Sequence, residues 1–213
     1  MPKYLIVNAD DFGYSYGVNK GIIEAHTKGI VTSTSVMVDA MAAHEAKELS
    51  AFPELSVGLH FAVKEIANVE AEFARQVEKF TRILGRAPDH IDSHKRHTTA
   101  EGLREVIEVY AREHQVPVRR FGHAKFIGAF FGMAHGGGTS VDPLKNAIGQ
   151  ATDEYNELMC HVGYSDDYLR EHSSYNDLRE AELKSICDPE IKEYIKAKDL
   201  VLIGWRDVLV TAI

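Results

Sequence analysis

Cysteine is scarce. The chain has 213 residues and two cysteines, Cys160 and Cys187, in no metal-type or redox-type spacing. This excludes a disulfide framework and a thiolate metal centre, and it fits a reducing, cytoplasmic compartment. Basic residues are also outnumbered, with 24 Lys and Arg against 32 Asp and Glu, and they are scattered rather than clustered. A footprint for nucleic acid or an anionic membrane is therefore missing. No apolar run approaches the roughly 20 residues that a membrane helix needs. The opening MPKYLIVNADD holds one short apolar run and then two acids, unlike a secretory leader. Linkers, low-complexity tracts and repeats are lacking too. With 45% apolar and 26% charged residues, the composition fits a single globular domain over residues 1–213.

Histidine, in contrast, is plentiful: eleven residues, which favours metal or acid–base chemistry. The order of elements says where that chemistry would gather. Tyr4-Leu5-Ile6-Val7 reads as a buried strand, followed by a helix carrying Val18, Ile22, Ile23 and Ala25 and ending near Gly29. Val31–Val38 and Leu55–Phe61 read as strands, with a helix across AAHEAKELSAF between them that Pro53 stops. Val69, Phe73, Val77, Phe80 and Leu84 mark one face of a further helix. A short strand ending in IDSH, a helix from about Glu101 to Glu113 and a strand at VPVRRF come next. The glycine-rich stretch 122–138 resists assignment. A helix near Leu144–Glu154, a strand ELMCH, a polar loop, a helix around Leu178–Ile186 and a strand DLVLIGW complete the chain. Alternation of about seven strands with helices predicts a parallel α/β fold: a closed or partly closed (β/α) barrel, or else an open doubly wound sheet.

Four polar groups fall at the downstream ends of separate predicted strands. They are Asp10-Asp11 in NADDFG, His60 after LSVGL, Asp92 and His94 in IDSH, and His161 after ELMC. Any one of them alone reads as an ordinary turn or a hydrogen-bonded histidine. In parallel α/β folds, however, those ends share one face. One carboxylate and two neutral imidazoles can bind a divalent ion and leave room for water and substrate. Adjacent aspartates would then divide the work, one holding the ion and one taking a proton from water.

NADDFG, TSTSVMV, VGLHF, IDSH and ELMCH, in this order, resemble the YdjC-like carbohydrate deacetylases, from about Lys3 to Ile213 and weakly between Gly122 and Asn156. The resemblance implies a distorted (β/α) barrel, a divalent metal (Mg or Zn) and removal of an N-acetyl group from an acetylated sugar. It makes Asp11, His60 and His94 the metal ligands, Asp10 the general base and His161 the general acid. Asp92 would orient a ligand, Arg119 would position Asp10 or bind sugar hydroxyls unless it is a surface salt bridge, and His97 would act from further out or be merely solvated. The expected partner is a small acetylated saccharide, with homodimerisation left open and neither nucleic acid nor membrane involved. Three departures stand out. DSHKRHT carries Arg96 and Thr98 where the family has further histidines, Val162 replaces a proline, and the chain is short between His60 and His94.

Two other readings compete. Gly13-Tyr14-Ser15-Tyr16-Gly17 satisfies the nucleophile pattern of a serine esterase, and AHGGG at 134–138 resembles an oxyanion-hole motif. Their order is reversed relative to that fold, so Ser15 is expected to cap a helix instead. A thiol dyad of Cys160 with His161 is disfavoured, because strand neighbours face opposite sides. The remaining rival is a metal- or sugar-binding relative without turnover. Retention of Asp10 and His161 argues against it, since binding alone needs neither.

Overall fold

Tyr4-Leu5-Ile6-Val7 lies inside a longer strand, β1 (Lys3–Phe12), buried from Leu5 onward. The computed structural model describes residues 2–63, 68–94, 103–127 and 138–209. The other strands are β2 (Ser33–Val36), β3 (Ser56–Phe61), β4 (Ile91–Ser93), β5 (Lys125–Phe126), β6 (Tyr155–Cys160) and β7 (Leu200–Leu202). They pair in the order β4-β3-β2-β1-β6-β5. All these pairings are parallel. The two outer strands do not meet among the described residues, so the sheet is a curled, partly closed barrel. β6 covers one edge of β1, while β7 and β2 share the other: β7 takes Lys3–Leu5 and β2 takes the downstream half.

The helices are α1 (Tyr16–Thr27), α2 (Val69–Leu84), α3 (Leu103–His114), α4 (Val141–Ile148), α5 (Asp167–His172), α6 (Asp177–Ile186) and α7 (Pro189–Ala197). Ser15 caps α1, its hydroxyl accepting from the N–H of Val18 at 3.2 Å. This is the capping role expected of it. Gly17 and Gly21, one turn apart on α1, let the chain after β6 lie against the helix backbone. A Cβ at Gly17 would stand 2.2 Å from the Tyr164 carbonyl, and one at Gly21 2.5 Å from Gly163. α2 buries Phe73 and Phe80, each worth about 1.5–3 kcal/mol. Gln76 on the same helix grips the backbone N–H and C=O of Ala62, just beyond β3.

Some elements differ from expectation. The stretch Ala43–Ala51 is a 3-10 helix: its buried residues Ala43, Ala46 and Leu49 repeat every three positions, the period of that helix. VPVRRF forms only a bridge between Val118 and Ile91, because Pro117 has no N–H to give and Arg120 turns the chain at φ 68°. α4 stops at Ile148, before Gly149, rather than running to Glu154. The polar loop after β6 contains α5, and α7 follows α6 where no helix was expected.

Candidate active site

The strand β1 breaks register at the paired aspartates. Ala9 faces Thr34 and Phe12 faces Val36, so Asp10 and Asp11 together oppose one residue of β2. This is a β-bulge, and Asp11 adopts the left-handed conformation at φ 72°, which Asp tolerates better than most residues. The bulge turns both carboxylates into the barrel mouth, where each is about 2% exposed.

Asp10 is fully engaged. Both terminal nitrogens of Arg119 donate to its two oxygens at 2.7 Å, and Asn8 donates to Oδ1 at 2.8 Å. Asp11 has different neighbours. Its Oδ2 accepts from Arg179 at 2.6 Å and lies 3.9 Å from Nε2 of His161, while its Oδ1 lies 3.3 Å from Nε2 of His60. Burial pushes the Asp11 carboxyl up, but Arg179 and the histidines hold it well below the usual carboxylate range. Nδ1 of His60 is fixed by Asp92 Oδ1 at 2.6 Å, with the Ser35 hydroxyl at 3.2 Å. The His94 ring stands 5.6 Å from that of His60. Burial lowers His60, yet Asp92, Asp11 and Asp10 carry it up to about 10. Burial lowers His161 to about 4, so its ring is neutral. The structure thus gathers Asp10, Asp11, His60, Asp92, His94, Arg119 and His161 at one place. His97 lies outside the described residues.

The family profile described as YdjC-like protein matches residues 4–68 and 62–197. This chain belongs to the YdjC-like family. It is 34% identical to a carbohydrate deacetylase of Geobacillus stearothermophilus over 97% of this chain and 98% of that protein. It is 29% identical to a chitooligosaccharide deacetylase of Yersinia pestis over 97% of this chain and the whole of that protein. Among solved structures, an Enterococcus faecalis protein named for cellobiose-phosphate cleavage matches with a TM-score of 0.81 and 26% identity, covering 96% of this chain and 98% of that one. A family 4 carbohydrate esterase from Streptomyces lividans, solved with acetate, shares the fold at a TM-score of 0.65 and 15% identity, covering 99% of this chain and 97% of that one. The alignment to the Geobacillus protein runs over 242 positions against 213 residues here, so that YdjC-like relative has residues this chain lacks.

Two sets of side chains could hold a cation. Donor atoms of Asp10, His60 and Asp92 lie within 4.8 Å of one another. These groups are already held by one another and by a fixed positive charge, however: Arg119 donates to both oxygens of Asp10 and approaches Asp92 Oδ2 at 3.0 Å, and His60 Nδ1 holds Asp92 Oδ1. A cation there would have to displace an arginine. The second set is Asp11, His60 and His94. Asp11 Oδ1 and His60 Nε2 are both buried and face each other at 3.3 Å, an ion pair when His60 is protonated, and neither is hydrogen-bonded to any other described residue. Such orphaned atoms are costly unless a ligand satisfies them. Charge agrees with this choice, since Asp10, Asp11, Asp92 and Glu157 are buried and, among the described residues, Arg119 and Arg179 are their buried permanent counter-charges. A divalent ion on the second set suits both counts.

Several YdjC-like site residues were not expected from the sequence. Glu157 Oε1 accepts from Arg119 Nε at 2.8 Å. Strand alternation could have flagged it, because positions 157, 159 and 161 share a face and His161 was already singled out. Cys160 faces the other way, into the core, as expected. Arg179 and Glu182 sit on α6, and no local pattern connects them to β1; Arg179 meets Asp11 across 168 positions.

Proposed function

We propose that this chain is a metal-dependent hydrolase that removes the N-acetyl group from an acetylated amino sugar or short chitooligosaccharide, releasing acetate. The observation that carries this reading is the orphaned pair Asp11 Oδ1 and His60 Nε2, set beside a carboxylate, Asp10, that is locked by Arg119. Relatives named as carbohydrate and chitooligosaccharide deacetylases support the substrate class. The two free cysteines support a cytoplasmic location.

In this reading Asp11, His60 and His94 hold the ion. When bound, a divalent cation supplies Lewis acidity, polarising the acetamide carbonyl and easing ionisation of water. Asp92 accepts from Nδ1 of His60, so that a bound cation would take the place of the proton on Nε2 opposite Asp11. Asp10 takes the proton of the attacking water, with Arg119 holding both its oxygens in place. His161 begins neutral. Negative charge building on the substrate carbonyl raises its proton affinity, so the proton that Asp10 takes from water can pass through His161 to the leaving amine. Arg179 keeps Asp11 ionised and leaves its Oδ1 free to bind.

The test is acetate release from N,N′-diacetylchitobiose, with and without a chelator, alongside elemental analysis of the protein. Chelator-sensitive release with about one metal ion per chain is the expected result. His60→Ala and His94→Ala should both empty the site. Unchanged metal content in either variant removes that residue from the ligand set, and chelator-resistant release rejects the metal-dependent reading.

A further inference from the structure

Arg119 has three groups of donors, and the proposed reaction uses only those on Asp10. Its Nη1 and Nη2 hold the two Asp10 oxygens at 2.7 Å, but Nη2 also lies 3.0 Å from Asp92 Oδ2. Two carboxylates therefore compete for one nitrogen. What decides between them is the third corner of the fork, where Nε donates to Glu157 Oε1 at 2.8 Å. A planar guanidinium held on two edges can neither slide nor rotate in its plane.

Glu157 is itself restrained. The indole N–H of Trp205, the only tryptophan in the chain, donates to the same Oε1 at 3.2 Å. The Trp205 ring stacks on His90 at 5.5 Å and 19°, and both residues are fully buried. Such an arrangement is costly to build. A buried carboxylate in the barrel interior is disfavoured unless its acceptor atoms are needed, and an apolar side chain would fill that volume at less expense.

We propose that Glu157, fixed by the Trp205 N–H, is a positioning residue for Asp10: it sets the Arg119 fork so that the base carboxylate is held in one orientation. The proposal rests on the hydrolytic reading above and extends its machinery to the far end of β7. Loss of the acceptor frees the guanidinium to turn toward Asp92. Asp10 then loses its alignment while the substrate and metal contacts are untouched.

The experiment compares Glu157→Leu, Glu157→Gln and Trp205→Phe with the parent in acetate release from N,N′-diacetylchitobiose, normalised to folded, metal-loaded chains. Glu157→Leu is expected to lower kcat about 10- to 100-fold, the scale of an ångström of misplacement, with KM little changed. Glu157→Gln keeps an acceptor for both N–H groups and should recover most of that loss. Trp205→Phe keeps the ring over His90 and removes only the N–H, so kcat falls by less. Combined with Glu157→Leu it should add nothing, since both act through one atom. Parental kcat in folded Glu157→Leu, or strictly additive effects in the double variant, overturns the proposal. If Glu157→Leu does not fold, parental kcat in Trp205→Phe overturns it. A parent that releases no acetate sinks the hydrolytic reading first, which is a separate result.

Discussion

Asp10 and Asp11 are neighbours in sequence but have separate partners in space, and that separation is what divides their proposed roles. One is clamped by Arg119, and the other turns Oδ1 to His60 alone. Their pairing is visible in NADDFG, yet the bulge that aims both at the mouth is not, because it depends on register with β2. The same holds for Ser15. Its motif mimics a nucleophile, whereas its environment is a helix cap. The two residues therefore predict opposite outcomes in one assay. Asp10→Asn should keep the bound metal and lower kcat by about 100- to 10,000-fold. Ser15→Ala should leave acetate release intact and cost about 1 kcal/mol of stability, read from denaturant midpoints. Near-normal turnover in Asp10→Asn would move the base elsewhere.

Helix α6 shows what periodicity could and could not reveal. An element near Leu178–Ile186 is legible from its spacing, and so are β1, β3 and α2. Its inward face is not legible, because Arg179 and Glu182 are charged residues that would ordinarily mark a solvent side. Both are buried, one on Asp11 and the other accepting the His161 backbone N–H at 2.7 Å and the Tyr175 hydroxyl. Burial pushes the Glu182 carboxyl up to about 7, against hydrogen bonds that lower it. The folded chain then keeps a proton that the unfolded chain, with a value near 4.5, gives up. Between these values the folded state binds more protons, so stability falls as pH rises and the full cost of the buried charge is present above about 7. Measured against Glu182→Gln, which cannot ionise, the parent should lose about 3 kcal/mol between roughly pH 4.5 and 7.5. A pH-independent difference between the two would mean that the carboxyl does not carry this charge in the fold.

At the scale of the molecule, the barrel places a concentration of negative charge where six segments of chain meet, and the arrangement is legible only in outline. Strand ends predict a shared face, but the arginines that neutralise it come from the turn after Val118 and from α6. A fold that buries orphaned acceptors should be stabilised by whatever satisfies them. An ion bound to the folded state alone adds about 2.7 kcal/mol at a hundred-fold excess over its Kd. For a chain of 213 residues this corresponds to a rise in Tm of about 5–11 °C. The expected order of events in a thermal scan is a rise on adding Mg, Mn or Zn to chelated protein, and a return on adding chelator. His94→Ala should lose the rise, because it removes a donor without touching the Arg119 network. Ser15→Ala should keep it, displaced downward by the lost cap. A Tm that none of these ions moves would leave Asp11 Oδ1 and His60 Nε2 facing each other without a ligand, and the hydrolytic chemistry would lose its electrophile.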